Sequence, residues 1–91
     1  MNRKRDRLGV IYDILRVIHD HKNSVRPTPL LRRSNLSSRS FADYHDELIG
    51  KGFIKEVTDE NGRAYLTLTD KGFLFLEKYK MIKGFIEEFE L

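Results

Sequence analysis

The 91-residue chain contains no cysteine, which excludes disulfides, thiolate nucleophiles and any zinc site built on cysteine. It has no apolar run near the roughly 20 residues that a membrane-spanning helix needs, and the apolar segment of a signal peptide does not follow its basic N-terminus. A glycine-rich phosphate loop is missing, no His-x-x-x-His pair occurs, and the serines are scattered. These gaps point away from an enzyme, a metal or cofactor, a small-molecule ligand and a membrane, and the expected location is cytoplasmic. What remains, 40% hydrophobic and 34% charged residues, suffices for one domain with a single modest core.

Acidic residues are also scarce, but only in the first part of the chain. Residues 1–39 hold ten Lys+Arg against three acids, net +7, and residues 40–91 hold seven against 11, net −4, which together give the formal +3. An excess of one sign confined to one stretch suggests a face that binds a polyanion. Arg3, Lys4, Arg5 and Arg7 lie in a segment with almost nothing to bury, so residues 1–7 read as a flexible basic arm ordered by a partner.

Hydrophobic spacing organises the rest. After Asp6, a candidate N-cap, the residues Leu8, Ile11, Ile14, Leu15 and Ile18 mark an amphipathic helix ending near His19. His19 and His21 are two residues apart and point to different sides of a helix, so they do not form a metal pair. Residues 20–26 are polar and break the pattern. Thr28 as cap and Pro29 at the first helical position then open a short second helix to about Ser34, with Leu30 and Leu31 inward. Arg32 and Arg33 close it, where they can complement the helix dipole or, with Arg26 nearby, reach phosphates.

Asn35 suits a left-handed turn, Ser37 can cap a third helix, and Leu36 with Phe41 makes a hydrophobic staple. Leu36, Phe41, Tyr44, His45 and Leu48 fall on the inner side, leaving Ser38, Arg39, Ala42, Asp43 and Asp46 outward, and Gly50 and Gly52 end the helix. His45 reads as a core histidine rather than a catalytic base. Phe53–Val57 and Ala64–Leu68 read as two strands joined at Asn61-Gly62, with Asp59-Glu60-Asn61-Gly62 able to form a two- or a four-residue loop. Thr69-Asp70 caps a last helix with a Leu68–Phe73 staple. Within it Phe75, Tyr79, Ile82, Ile86 and Phe89 are spaced as the seam of a short coiled coil, while Phe73, Leu76 and Phe85 lie outside that seam, the first two able to pack on the domain's own core. A helix apolar on two sides has too much to hide alone, which predicts a homodimer through this helix.

The expected fold is therefore mainly α with a β-hairpin wing, in the order helix, helix, helix, strand, strand, helix. Residues 1–7 form the arm, 8–72 the domain and 73–91 the dimerisation helix. More narrowly, Ile-Tyr-Asp-Ile-Leu at 11–15, Ser-Asn-Leu-Ser at 34–37, Leu-Ile-Gly-Lys-Gly-Phe-Ile at 48–54 and Leu-Thr-Asp-Lys-Gly at 68–72 resemble the archaeal winged helix-turn-helix proteins. That family includes small chromatin-associated or regulatory DNA-binding proteins that dimerise through a C-terminal antiparallel coiled coil.

The resemblance implies double-stranded DNA as partner, with the third helix in the major groove and the hairpin tip along the backbone or minor groove. Carried over by position, the contact candidates are Thr28 and Arg32 on the second helix, Ser38, Arg39, Ala42 and Asp43 on the third, and Asn61 and Arg63 at the wing. Arg3, Lys4, Arg5, Arg26 and Arg33 supply further cations. Arg39 is followed by Asp43, Asp46 and Glu47, which repel phosphate, so the third helix enters by its N-terminal end or binds weakly. The rival reading is a docking module on the same fold, its acidic third helix facing a basic protein.

Overall fold

The computed structural model describes residues 6–91. Its elements are α1 (Arg7–Asp20), α2 (Pro27–Ser34), α3 (Ser38–Gly50), β1 (Ile54–Thr58), β2 (Ala64–Leu68) and α4 (Asp70–Glu88), so the expected order of helices and hairpin is present. None of the described helices is long and apolar enough to cross a membrane.

The Asp6 carboxylate accepts from Gly9 N at 2.7 Å and starts α1 as its spacing suggests. Ile11, Ile14, Leu15 and Ile18 are buried with Val10 and Tyr12, but Leu8 is 51% exposed. It sits in the first turn, outside the cluster that α2, α4 and β2 build around α1.

The polar stretch after α1 has more structure than its composition shows. Lys22 and Asn23 both take a left-handed backbone (φ 59°), and the Asn23 side-chain oxygen accepts from Leu68 N at 2.6 Å. Val25 is buried and exchanges two backbone hydrogen bonds with Leu66, at 2.7 and 3.2 Å, adding one residue of a third strand beside β2. This pairing moves the start of α2. Arg26 is held extended and its carbonyl accepts from Leu30 N, so the helix begins at Pro27, which has no N–H to leave unpaired, and Thr28 lies inside the first turn instead of capping it.

The turn into α3 is as expected, with Asn35 left-handed (φ 59°) and Ser37 Oγ accepting from Ser40 N at 3.1 Å. Of the two glycines at its end, only Gly52 is the stop. It adopts φ +78° and bonds Ile49 O at 3.1 Å, while Phe53 N reaches Leu48 O at 2.9 Å, a Schellman closure that leaves Gly50 within the helix.

The hairpin register pairs Ile54 with Leu68 and Thr58 with Ala64, so β1 starts one residue later than its sequence suggests. Its loop has three residues, neither two nor four. Asp59 O accepts from Gly62 N at 3.1 Å, Gly62 is left-handed, and Asp59 N bonds Arg63 O at 2.9 Å, which is a type I turn followed by a one-residue bulge. Asp59 Oδ1 locks that loop by accepting from Asn61 N and Arg63 N, both at 2.8 Å.

Thr69 caps α4 by accepting from Gly72 N at 3.1 Å. The first half of α4 then lies on α1 through a run of rings: Phe53–Phe75 (5.5 Å between centroids), Phe75–Tyr79 (5.8 Å) and Tyr79–Tyr12 (4.8 Å). Phe75 and Tyr79, the first two positions of the expected seam, are thus half-buried against the chain's own domain. Leu76 joins the core as expected, whereas Phe73 is 40% exposed and meets His19 edge-on instead of packing inside.

Candidate nucleic-acid interface

Helix α3 presents two unlike faces. Phe41 and Leu48 are buried, Tyr44 and His45 half-buried, and Ser38, Arg39, Ala42, Asp43 and Asp46 are exposed. At 100° per residue, Arg39, Asp43 and Asp46 lie most directly opposite Phe41, Tyr44 and Leu48. Its N-terminus carries the positive end of the helix dipole, so Ser38 and Arg39 occupy the part of α3 most favourable to an anion.

The flanking cations are exposed too. Arg26, Arg32 and Arg33 on and before α2, Arg39 on α3 and Arg63 at the wing are all exposed, as are Thr28 and Asn61. None of these five arginines forms an ion pair among the described residues, whereas Arg7 is paired with Glu47, Arg16 with Asp20 (3.6 Å) and Lys51 with Glu47 (2.8 Å). An unpaired guanidinium keeps all its donors for a ligand. Arg3, Lys4 and Arg5 lie outside the described residues.

The acids that follow Arg39 are not equivalent, which the sequence did not reveal. Glu47 is held between Arg7 and Lys51, and a single carboxylate between two cations repels little. Asp46 Oδ1 faces His45 Nδ1 at 3.1 Å, and His45 lies against Phe41 with ring centroids 6.2 Å apart. Only Asp43, among the acids of α3, has no partner among the described residues. The pairing of Glu47 with Arg7 depends on α1 ending up beside α3, and no local spacing reports that.

A groove of about 450 Å3 between α1 and α4 is lined by Tyr12, Arg16, His19, Phe73, Leu76 and Lys80 among others. The last three seam positions, Ile82, Ile86 and Phe89, lie further along α4 and are exposed, together with Met81 and Phe85. Tyr79 is held protonated above the ordinary tyrosine range, first by burial and then by the carboxylates of Asp6 and Asp13 and by Tyr12.

The comparisons with known proteins fit this arrangement. A family model described as winged helix-turn-helix matches residues 4–87. Among solved structures, Sso10a-2, a DNA-binding protein from Sulfolobus solfataricus, has a TM-score of 0.76 at 21% identity over 94% of this chain and 86% of that one. F93 from STIV, a winged-helix DNA-binding protein, gives 0.72 at 22% identity over 87% and 90%. SSV1 F-93 gives 0.67 at 26% identity over 88% and 91%. No curated protein matches the chain. With the family model spanning nearly all of the chain, and with three helices, a hairpin wing and a further helix in the family's order, this protein belongs to the winged helix-turn-helix family.

Proposed function

We propose that this protein binds double-stranded DNA, mainly through the phosphate backbone, as a transcriptional regulator or chromatin-associated protein. The observation that carries this reading is the set of unpaired arginines. Arg26, Arg32, Arg33, Arg39 and Arg63 are exposed without an ion pair among the described residues, while Arg7 and Lys51 share the carboxylate of Glu47 and Arg16 faces Asp20. Helix α3 enters the major groove by its N-terminal end, Thr28, Asn61 and Arg63 approach the backbone from either side, and Arg3, Lys4 and Arg5 add charge from the arm. Ser38, Ala42 and Asp43 face the bases beside Arg39. Sso10a-2 and F93 are both described as DNA-binding proteins, which supports the assignment. A cytoplasmic, nucleoid-associated location goes with it.

The same reading includes a homodimer formed through α4. Ile82, Phe85, Ile86 and Phe89 are exposed on one helix, and a second copy can cover them without displacing Phe75 or Tyr79 from the domain. If one protomer neutralises roughly four phosphates, log affinity falls against log salt with a slope of about −3 to −4 per protomer, doubled in the dimer. Titration of duplex DNA at several salt concentrations tests the first part, and a slope indistinguishable from zero excludes it. Sedimentation at micromolar concentration tests the second, which a single species near 10.8 kDa excludes.

A further inference from the structure

We propose that Asp43 reads sequence, accepting a hydrogen bond from the exocyclic amine of a cytosine in the major groove close to a guanine bound by Arg39. This inference rests on the DNA-binding reading above and goes beyond it, because that reading assigns no base and no base preference to any residue of α3.

Three acids follow Arg39 on α3, and the fold sorts them. Glu47 is held by Arg7 and Lys51, and Asp46 by His45. Asp43 alone is exposed with no partner among the described residues, and it does not pair with Arg39 although the two are one helical turn apart. It shares with Arg39 the stripe most directly opposite the core, in the second turn from the N-terminus. A carboxylate there either lies against phosphate, where it opposes binding, or meets a base edge.

Base chemistry narrows the second case. A carboxylate only accepts, and the major groove offers two amine donors, cytosine N4 and adenine N6. Adenine places its N7 acceptor next to that amine, which a carboxylate finds repulsive, whereas cytosine has a C–H at the corresponding place. Cytosine is therefore the complement of Asp43, as guanine with its O6 and N7 acceptors is of Arg39. Four residues of helix rise by about 6 Å, and stacked base pairs are about 3.4 Å apart. With the first two turns of α3 lying along the groove, the two bases fall within about two base-pair steps of each other. Ala42 is exposed beside them and is too small to hold either base off.

The test is selection of duplexes from a randomised pool by the full-length wild type, by D43N and by D43A, followed by titration of the selected duplexes. The wild type is expected to enrich a cytosine at a fixed distance from a guanine, and to bind about fivefold or more weakly when that cytosine pair is replaced. D43N should exchange the cytosine for adenine, which an amide can bind through N6 and N7 together, and D43A should lose the preference while keeping the guanine. If all three proteins select the same sequences and D43N only tightens binding to every duplex, the carboxylate acts by repulsion and the proposal is overturned while DNA binding stands. A wild type that retains no duplex at any salt concentration overturns both readings.

Discussion

Two glycines of α4 carry opposite obligations. A Cβ at Gly72 would sit inside contact distance of the Phe53 carbonyl oxygen and 3.3 Å from Leu68 Cδ2, whereas nothing lies within 4 Å of one at Gly84. Gly72→Ala should therefore cost about 1–3 kcal/mol through forced displacement of the β1 entry. Gly84→Ala should add about 0.5–1 kcal/mol, because alanine loses less entropy in an exposed helix. Thermal denaturation checks both, since each kcal/mol shifts Tm by about 4–8 °C in a domain of this size. Tyr79 adds a pH dependence. Its raised pKa means that the folded chain holds the phenolic proton more tightly than the unfolded chain, chiefly through burial. The stabilisation is complete below the ordinary tyrosine value of about 10 and is lost as pH rises through the higher folded value. Ultraviolet titration should show one of the four tyrosines ionising late, and Tyr79→Phe should remove both that late step and the corresponding part of the alkaline loss of stability.

Two short motifs that are weak signals separately form one joint between elements. The Lys51-Gly52-Phe53-Ile54 segment takes the chain from α3 into β1, and Leu68-Thr69-Asp70-Lys71-Gly72 takes it from β2 into α4. Thr69 Oγ1 donates to Gly52 O at 2.5 Å, Thr69 N to Phe53 O at 3.1 Å and Lys71 Nζ to Lys51 O at 2.7 Å, while the Lys71 ammonium sits 4.7 Å from the centre of the Phe53 ring. Gly72 lets the first turn of α4 press on the same carbonyl. Each motif supplies what the other lacks, which is why their joint occurrence was informative. Thr69→Val removes the cap of α4 and the donor to Gly52 together. It should lower stability by about 1–2 kcal/mol in denaturant titration, without altering the charge that governs salt dependence.

At the scale of the whole molecule, α4 serves two surfaces in succession. Nineteen residues make a helix about 28 Å long; its first half is held on α1 by Phe75 and Tyr79, and its second half leaves Ile82, Phe85, Ile86 and Phe89 exposed. A carboxylate placed in the exposed half should prevent the proposed pairing of two copies without reaching the domain core. The double substitution Ile82→Asp and Ile86→Asp is expected to give a monomer by sedimentation with the domain still folded. It should also halve the salt slope of DNA binding from its dimer value, since each particle then neutralises about half as many phosphates.

Local chemistry was enough to write the order of elements from the sequence. Caps at Asp6, Ser37 and Thr69, the left-handed Asn35 and the Asn61-Gly62 turn each depend on neighbours within a few residues, and so do the inner and outer faces of α3. Contacts between distant segments were not open to that reasoning. Val25 became a strand residue only because Leu66 lies beside it, and that pairing, rather than Thr28, set where α2 begins. Leu8 has the right spacing for a core that does not extend to it. The charge of the candidate interface was decided in the same way: the charge run showed where cations are plentiful and Glu47 with Lys51 is a local i,i+4 pair, but folding brought Arg7 from the start of α1 to Glu47 and left five arginines, and Asp43 alone among the acids of α3, without a partner among the described residues. Hydrogen-bonding propensity travels with the residue and is legible in the chain, whereas pairing and burial belong to positions brought together from far along it.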